Sequence, residues 1–302
     1  MLVVAGAPGE TDYEERFAAA ARTIKSACDE HAIACDIVGL DAEPAVATAK
    51  PDRDRVVEWL MRARTASATP VWLIYIGHGT WDGENARLNL RGLDLDAGQL
   101  NDALAGQARP FVFVHGGSAS GPFIPALAGP DRVIIAATES GDEVNYARFG
   151  EFFADAVAAT GADIDQDART SLLEAALFAA RRAQTFYEEA GRMATEHAII
   201  EDNGDGKGTP AEWFRGTRVE NKDEAGAAPD GALAHRFALI ESDLERSLSE
   251  EQRARRVELE DELEALRARK STLERSDYLR ELERTLRQLA PLYADPALGD
   301  DT

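Results

Sequence analysis

Over the first half of the chain, short apolar runs alternate with amphipathic stretches in the manner of βαβ units. Leu2-Val3-Val4-Ala5 predicts a buried strand, and residues 13–32 predict a helix with Phe17, Ala20, Ala21 and Ile24 on its inner face. Residues 35–40 predict a second strand and 53–64 a second helix. After Pro70, Val71-Trp72-Leu73-Ile74-Tyr75-Ile76 is apolar without alternation, as a strand covered on both faces would be, and it stops abruptly at Gly77-His78-Gly79. Residues 86–90 predict a short strand and 96–105 a helix. Pro110-Phe111-Val112-Phe113-Val114 predicts a fourth core strand, ending in His115-Gly116-Gly117-Ser118-Ala119-Ser120-Gly121. A fifth strand, Arg132-Val133-Ile134-Ile135-Ala136-Ala137, leads through Glu139-Ser140-Gly141 to a helix over 147–159. Five strands joined by helical crossovers predict an α/β domain with a mostly parallel sheet flanked by helices.

The pattern then changes. Residues 168–194 predict a long Ala-rich helix, followed by the loop Glu201-Asp202-Asn203-Gly204-Asp205-Gly206-Lys207-Gly208. Residues 216–231 are polar and without periodicity, which predicts a linker. Beyond it Leu259, Leu263, Leu266 and Leu273 keep a near-heptad stripe, resumed in shifted phase by Leu279, Leu282, Leu286 and Leu289 after Ser276-Asp277. The predicted organisation is an α/β domain over 1–215, a linker over 216–231, and an α-helical C-terminal arm over 232–302, folded as a helical hairpin or short coiled coil.

Composition narrows the function. The 302 residues hold 33 Lys and Arg against 55 Asp and Glu, a net charge of −22, which repels phosphate backbones and anionic lipid, so neither nucleic acid nor membrane is an expected partner. With 44% hydrophobic residues the chain can build a core, and it holds no apolar run near the roughly 20 residues of a spanning helix. The chain as given carries no signal-peptide pattern, so it reads as soluble with its localisation open. Cys28 and Cys35 are too few for a disulfide framework and read as ordinary thiols.

In open α/β sheets ligands sit beyond the carboxyl ends of the strands. His78, between two glycines after the third strand, and Ser118 to Gly121 after the fourth fall at that edge, forty residues apart. Strand-Gly77-His78-Gly79 followed by a strand ending in Ser118-Ala119-Ser120-Gly121 resembles the legumain (hemoglobinase) cysteine peptidases and their caspase relatives. In that group an active-site His follows one strand and Cys-x-Ser-Gly the next. The strand from Arg132 to Glu139 and the segment Asn145-Tyr146-Ala147-Arg148-Phe149-Gly150-Glu151-Phe152-Phe153 are also similar to bacterial members, so the resemblance spans about residues 1–208. It implies a caspase-hemoglobinase-like sheet, with the catalytic histidine at His78 and the nucleophile at Ser118, where the family has cysteine.

A hydroxyl in place of a thiol, whose pKa is about 8.5, is a poor nucleophile unless its base is oriented by a third group. The leading expectation is therefore a degenerate, inactive peptidase that binds a peptide or protein ligand. The alternative is a hydrolase with Ser118 as nucleophile, His78 as base and N–H groups near Gly116 and Gly117 as oxyanion donors. Asp82 and Glu84 follow His78 closely enough to be considered as the third group. Gly79, His115, Gly116, Gly117, Ser120 and Glu139 are the expected binding residues, with Arg91 a further cleft candidate. Glu201, Asn203, Asp205 and Glu212 stand at positions 1, 3, 5 and 12 of a calcium-loop pattern, with Gly206 at position 6. Calcium is the sole cofactor under consideration. The leucine stripe of the arm suggests self-association as a homodimer.

Overall fold

A computed structural model describes residues 1–40, 50–65, 67, 69–158, 160–167, 169–220, 229–240, 247–270 and 272–293. Part of the expected linker, residues 221–228, and Ala168 at the expected start of the long helix lie outside the described residues. The chain forms two compact units. One comprises residues 1–165 and 170–239, the other 166–169 and 240–302.

The first unit is built on a seven-stranded sheet. Its strands are β1 (Leu2–Ala5), β2 (Asp36–Val38), β3 (Val71–Ile76), β7 (Phe111–His115), β8 (Arg132–Ala136), β9 (Ile199–Glu201) and β10 (Thr209–Pro210), in the order β2-β1-β3-β7-β8-β9-β10. Between β3 and β7 the chain forms a small antiparallel sheet of β4 (Gly79–Trp81), β5 (Ala86–Leu88) and β6 (Leu95–Asp96). A further hairpin pairs β11 (Phe214–Arg215) with β12 (Arg218–Val219). The five strands from β2 to β8 run parallel, as the apolar pattern predicts. The antiparallel β9 and β10 were not predicted, because three and two residues are too few to show a period.

Residues alternate between the faces of a strand, and this decides the layers. Leu2 and Val4, Leu73 and Tyr75, Phe111 and Phe113, and Ile134 and Ala136 share one core with Val56 and Leu60 of α2 (Asp52–Arg62), Leu100 of α3 (Ala97–Ala103), and Phe123 and Leu127 of α4 (Phe123–Leu127). The opposite face is covered by α1 (Thr11–Glu30), α5 (Phe149–Ala158) and α6 (Leu172–Glu189), which pack on one another. Phe17, Ala20, Ala21 and Ile24 of α1 are buried as predicted. Helix α6 starts four residues later than expected, because Ser171 and Glu174 form a capping box there. The unit continues through α7 (Ala232–Arg236). The Asp202 carboxylate accepts from the N–H groups of Gly231 (2.9 Å) and Ala234 (2.8 Å), so α7, grouped by sequence with the arm, lies within the α/β unit.

The second unit is a helical hairpin of α8 (Glu250–Ala268) and α9 (Arg275–Tyr293). Leu259 and Leu263 pack against Leu289, Leu292 and the partly buried Leu282. Helix α9 begins at Arg275, so Ser276 and Asp277 lie in its first turn rather than in the gap before it. Among the described residues, no helix is long and apolar enough to cross a membrane.

Candidate functional site

Strands β3 and β7 are parallel neighbours with Tyr75 opposite His115, so the loops that follow them emerge side by side. They touch backbone to backbone. A Cβ on Gly117 would lie 1.9 Å from the Gly77 carbonyl oxygen, and one on Gly79 would lie 2.2 Å from that of Ser118. Both distances are far inside van der Waals contact, so these two glycines let the loops approach each other. Beneath them the buried Tyr75 hydroxyl donates to the carbonyls of His78 (2.6 Å) and Asn89 (3.0 Å), fixing where the His78 backbone stands.

The His78 ring lies among Tyr13 (4.7 Å between centroids), Phe17 (5.2 Å) and Tyr146 (5.8 Å). Burial among these rings pushes its pKa below the ordinary histidine value, while the charge of Glu10 and a hydrogen bond with the Pro8 backbone oppose that shift. Proline has no N–H, so the Pro8 carbonyl is the acceptor and a ring N–H of His78 the donor. Asp82 is occupied elsewhere. Its carboxylate accepts from the N–H groups of Glu84 (3.0 Å) and Asn85 (2.7 Å) and from Arg87 (2.6 Å) in the β4–β5 turn, which brings its pKa down to about 2. Arg91 forms a two-pronged ion pair with the buried Asp52 (2.7 and 3.1 Å).

Ser118 is 2% exposed. Its hydroxyl donates to the Gly79 carbonyl (3.3 Å) and accepts from the Gly79 N–H (3.3 Å), and among the described hydrogen bonds none joins it to His78. A hydroxyl has one proton, and here that proton is held by a carbonyl rather than by a base. The turn around it is fixed. Buried Ala119 has φ 51°, a left-handed conformation that non-glycine residues adopt at a cost, and its N–H donates to the Glu143 carbonyl (2.9 Å). The Thr138 hydroxyl oxygen accepts from the N–H groups of Ser120 (2.7 Å) and Gly121 (3.3 Å), while the Ser120 hydroxyl oxygen accepts from the Thr138 N–H (2.9 Å). Ser120 thus ties the β7 loop to the β8 loop and, being fully buried, offers no ligand surface.

The expected oxyanion donors are also occupied. Gly116 N–H donates to the Tyr75 carbonyl (2.8 Å), and Gly117 N–H donates to Nδ1 of His115 (3.2 Å). That second bond makes Nδ1 of His115 an acceptor and leaves its proton on Nε2. The ring is completely buried between Tyr75, Phe113 and Phe123, and burial lowers its pKa to about 3. His115 is therefore a neutral prop under the loop rather than a residue lining a cleft.

What remains accessible near the β7 and β8 loops is acidic and partly apolar. Glu139 is exposed, as a binding role requires, and Val144 is 64% exposed. Glu143 accepts from the Glu139 N–H (2.8 Å) and pairs with His197, whose pKa that contact raises. Glu143, His197, Pro8 and Tyr13 carry no motif, and the sequence reading missed them as neighbours of this site; Tyr146 lies in the segment that carries the resemblance, without a role expected for it.

Among the described residues, Glu201, Asp205 and Glu212 of the calcium-loop pattern do not fall in a group of acids close enough to share an ion. Glu201 is buried at the end of β9, and its Oε1 accepts from the Gly204 N–H (2.6 Å). Asn203 Oδ1 accepts from Asp205 N–H (2.9 Å), Asp205 Oδ1 from Lys207 N–H (2.8 Å), and Glu212 lies exposed in a short 3-10 turn. Among the described residues, the acid and histidine groups of the α/β unit near enough to share an ion are Asp165, Glu174 and His235, a different set. There Glu174 already accepts from the N–H groups of Ile164 (2.7 Å) and Asp165 (3.1 Å) and from both N–H and hydroxyl of Ser171 (2.8 Å each).

No family model matches the chain, and no curated protein is similar enough to match it.

Proposed function

We propose that this chain is a caspase-hemoglobinase-like domain of the legumain type that has lost peptidase activity and serves as a peptide- or protein-binding module. The observation that carries this reading is the state of the Ser118 loop. The hydroxyl at the family's nucleophile position is engaged by Gly79, and the Gly116 and Gly117 N–H groups have internal partners. An oxyanion hole needs donors aimed at an empty position, and these are taken. The order of the two loops, His78 after β3 and Ser118 after the adjacent β7, supports the resemblance itself. Glu139 and Val144, both exposed on the segment that follows β8, favour a ligand with a basic and an apolar group.

The rival reading, a Ser118/His78 hydrolase, draws on one observation. Burial holds the His78 pKa below the ordinary histidine value, which favours the neutral imidazole, the form a general base requires. Digestion of a broad peptide library, with and without calcium and read by mass spectrometry, separates the two. No cleavage is expected. Cleavage abolished by both Ser118→Ala and His78→Ala would establish the hydrolase. For the binding role, a basic peptide array should retain the protein, and Glu139→Lys should weaken that retention.

A further inference from the structure

Both cysteines of the chain lie where α1 turns back to the sheet. Cys28 is fully buried in the last turn of α1, and the half-buried Cys35 directly precedes β2. Their spacing carries no motif, and the fold brings them together. Ala32, at φ 57°, reverses the chain just past the helix, and the Ile33 N–H donates back to the Cys28 carbonyl (2.8 Å). Strand β2 then pairs with β1 with Leu2 opposite Asp36, and the Asp36 N–H donates to the Met1 carbonyl (3.1 Å). That register sets Cys35 beside the start of β1, where Met1 Sδ lies 3.6 Å from Cys28 Sγ. The two thiols stand within hydrogen-bond reach of each other.

We propose that Cys28 and Cys35 are a redox-active pair, which a small disulfide such as oxidised glutathione converts to an intrachain disulfide. Cys35, the less buried of the two, reacts first. Its thiol gives up a proton, and the thiolate attacks one sulfur of the small disulfide, breaking that S–S bond, forming a mixed disulfide and releasing one small thiolate. The Cys28 thiol, deprotonated in turn, attacks the Cys35 sulfur, closes the Cys28–Cys35 bond and releases the second small thiolate. The two protons end on the two released thiols, so one pair of cysteines is oxidised and one small disulfide reduced. The new bond fastens the end of α1 to β2, an outer strand of the sheet. Because the folded chain already holds the two sulfurs together, the fold favours the bond and, by linkage, the bond favours the fold.

The test equilibrates the full chain in glutathione redox buffers, quenches with acid and alkylates the remaining thiols. One tryptic peptide, residues 26–53, carries both cysteines, so its mass separates the dithiol, the mixed disulfide and the intrachain bond. Repeating the measurement in urea strong enough to unfold the chain isolates what the fold contributes. The intrachain bond should be favoured at least about tenfold more in the folded chain than in the unfolded one, which is about 30 mV for this two-electron couple. Oxidation should correspondingly raise the urea midpoint of the parent and leave that of Cys28→Ser unchanged, and Cys28→Ser should stop at the mixed disulfide on Cys35. A parent that stays reduced where its unfolded form oxidises, a mixed disulfide that persists on Cys35 beside a free Cys28, or an intrachain bond no more favoured folded than unfolded would each overturn the proposal.

Discussion

The α/β unit and the helical hairpin bury their apolar residues in different ways. In the first, Leu73, Tyr75, Phe113 and Ile134 come from three strands distant in sequence, and the loops beyond them are joined backbone to backbone. In the second, a few leucines on two successive helices meet across one seam, and Leu279 and Leu286 are left outside it. A core assembled from distant segments fixes each atom of its edge loops. A seam between neighbouring helices fixes only one face of each. The chemistry of the first unit is therefore constrained by packing, while the second leaves Leu279 and Leu286 exposed.

The largest expected effect tests the packed loops. Gly117→Ala should destabilise the α/β unit by about 3 kcal/mol or more, since its Cβ would meet a backbone carbonyl that has no room to give way. Gly161→Ala, with nothing within 4 Å, should fall within about 0.5 kcal/mol of the parent. Denaturant unfolding followed by tryptophan fluorescence measures both, and equal effects would end the argument from loop contact.

Next comes the independence of the two units. Leu263→Ala should cost the hairpin about 2–3 kcal/mol through the cavity it leaves. Amide exchange should then show α8 and α9 losing protection while β3 and β7 keep theirs. A chain ending at Leu239 should retain the α/β near-ultraviolet spectrum, and its unfolding would show that the hairpin supports the sheet.

A smaller effect concerns Glu201. Burial and the nearby charges of Asp230 and Asp202 raise its pKa to about 7, and Asp230 is raised to about 6. Both groups fold more readily protonated. Their contribution is complete below the unfolded carboxylate values near 4 and is lost as pH climbs through 6 to 7. Glu201→Gln should therefore recover on the order of 1–2 kcal/mol at pH 8 and change little at pH 4.5. Unfolding curves at the two pH values decide it, and a stabilisation greater at pH 4.5 would reverse the sign. The same variant gives a calcium test, because a working site would lose calorimetric heat, whereas a loop without a site would show none in either form.

The smallest effect is on His78. Its NMR titration midpoint should lie below that of a free histidine, and Phe17→Ala should move it back upward by admitting water to the ring. A midpoint above the free value would mean that the Glu10 charge outweighs burial.

Much of this molecule is determined locally and was legible in the sequence. The apolar runs of β1, β3, β7 and β8, the inner face of α1, and the seam of the hairpin follow from periodicities of two and of about 3.6 residues. The glycine-flanked His78 and the Ser118 turn announce themselves by composition and by their position at strand ends. Tertiary structure decided what those residues can do. Gly79 was expected to bind ligand and Gly117 to supply an oxyanion donor; in the folded chain both let two loops forty residues apart come into contact. His115 looked like a site residue and is a buried prop. Glu201 looked like a metal ligand and closes β9. The Pro8 backbone acts on His78, and a backbone carbonyl is supplied by any residue type, so no side-chain pattern could reveal it. A sequence specifies which groups exist and the period with which they recur. Which donor meets which acceptor depends on distances between segments far apart in the chain, and only the packing of the sheet sets those.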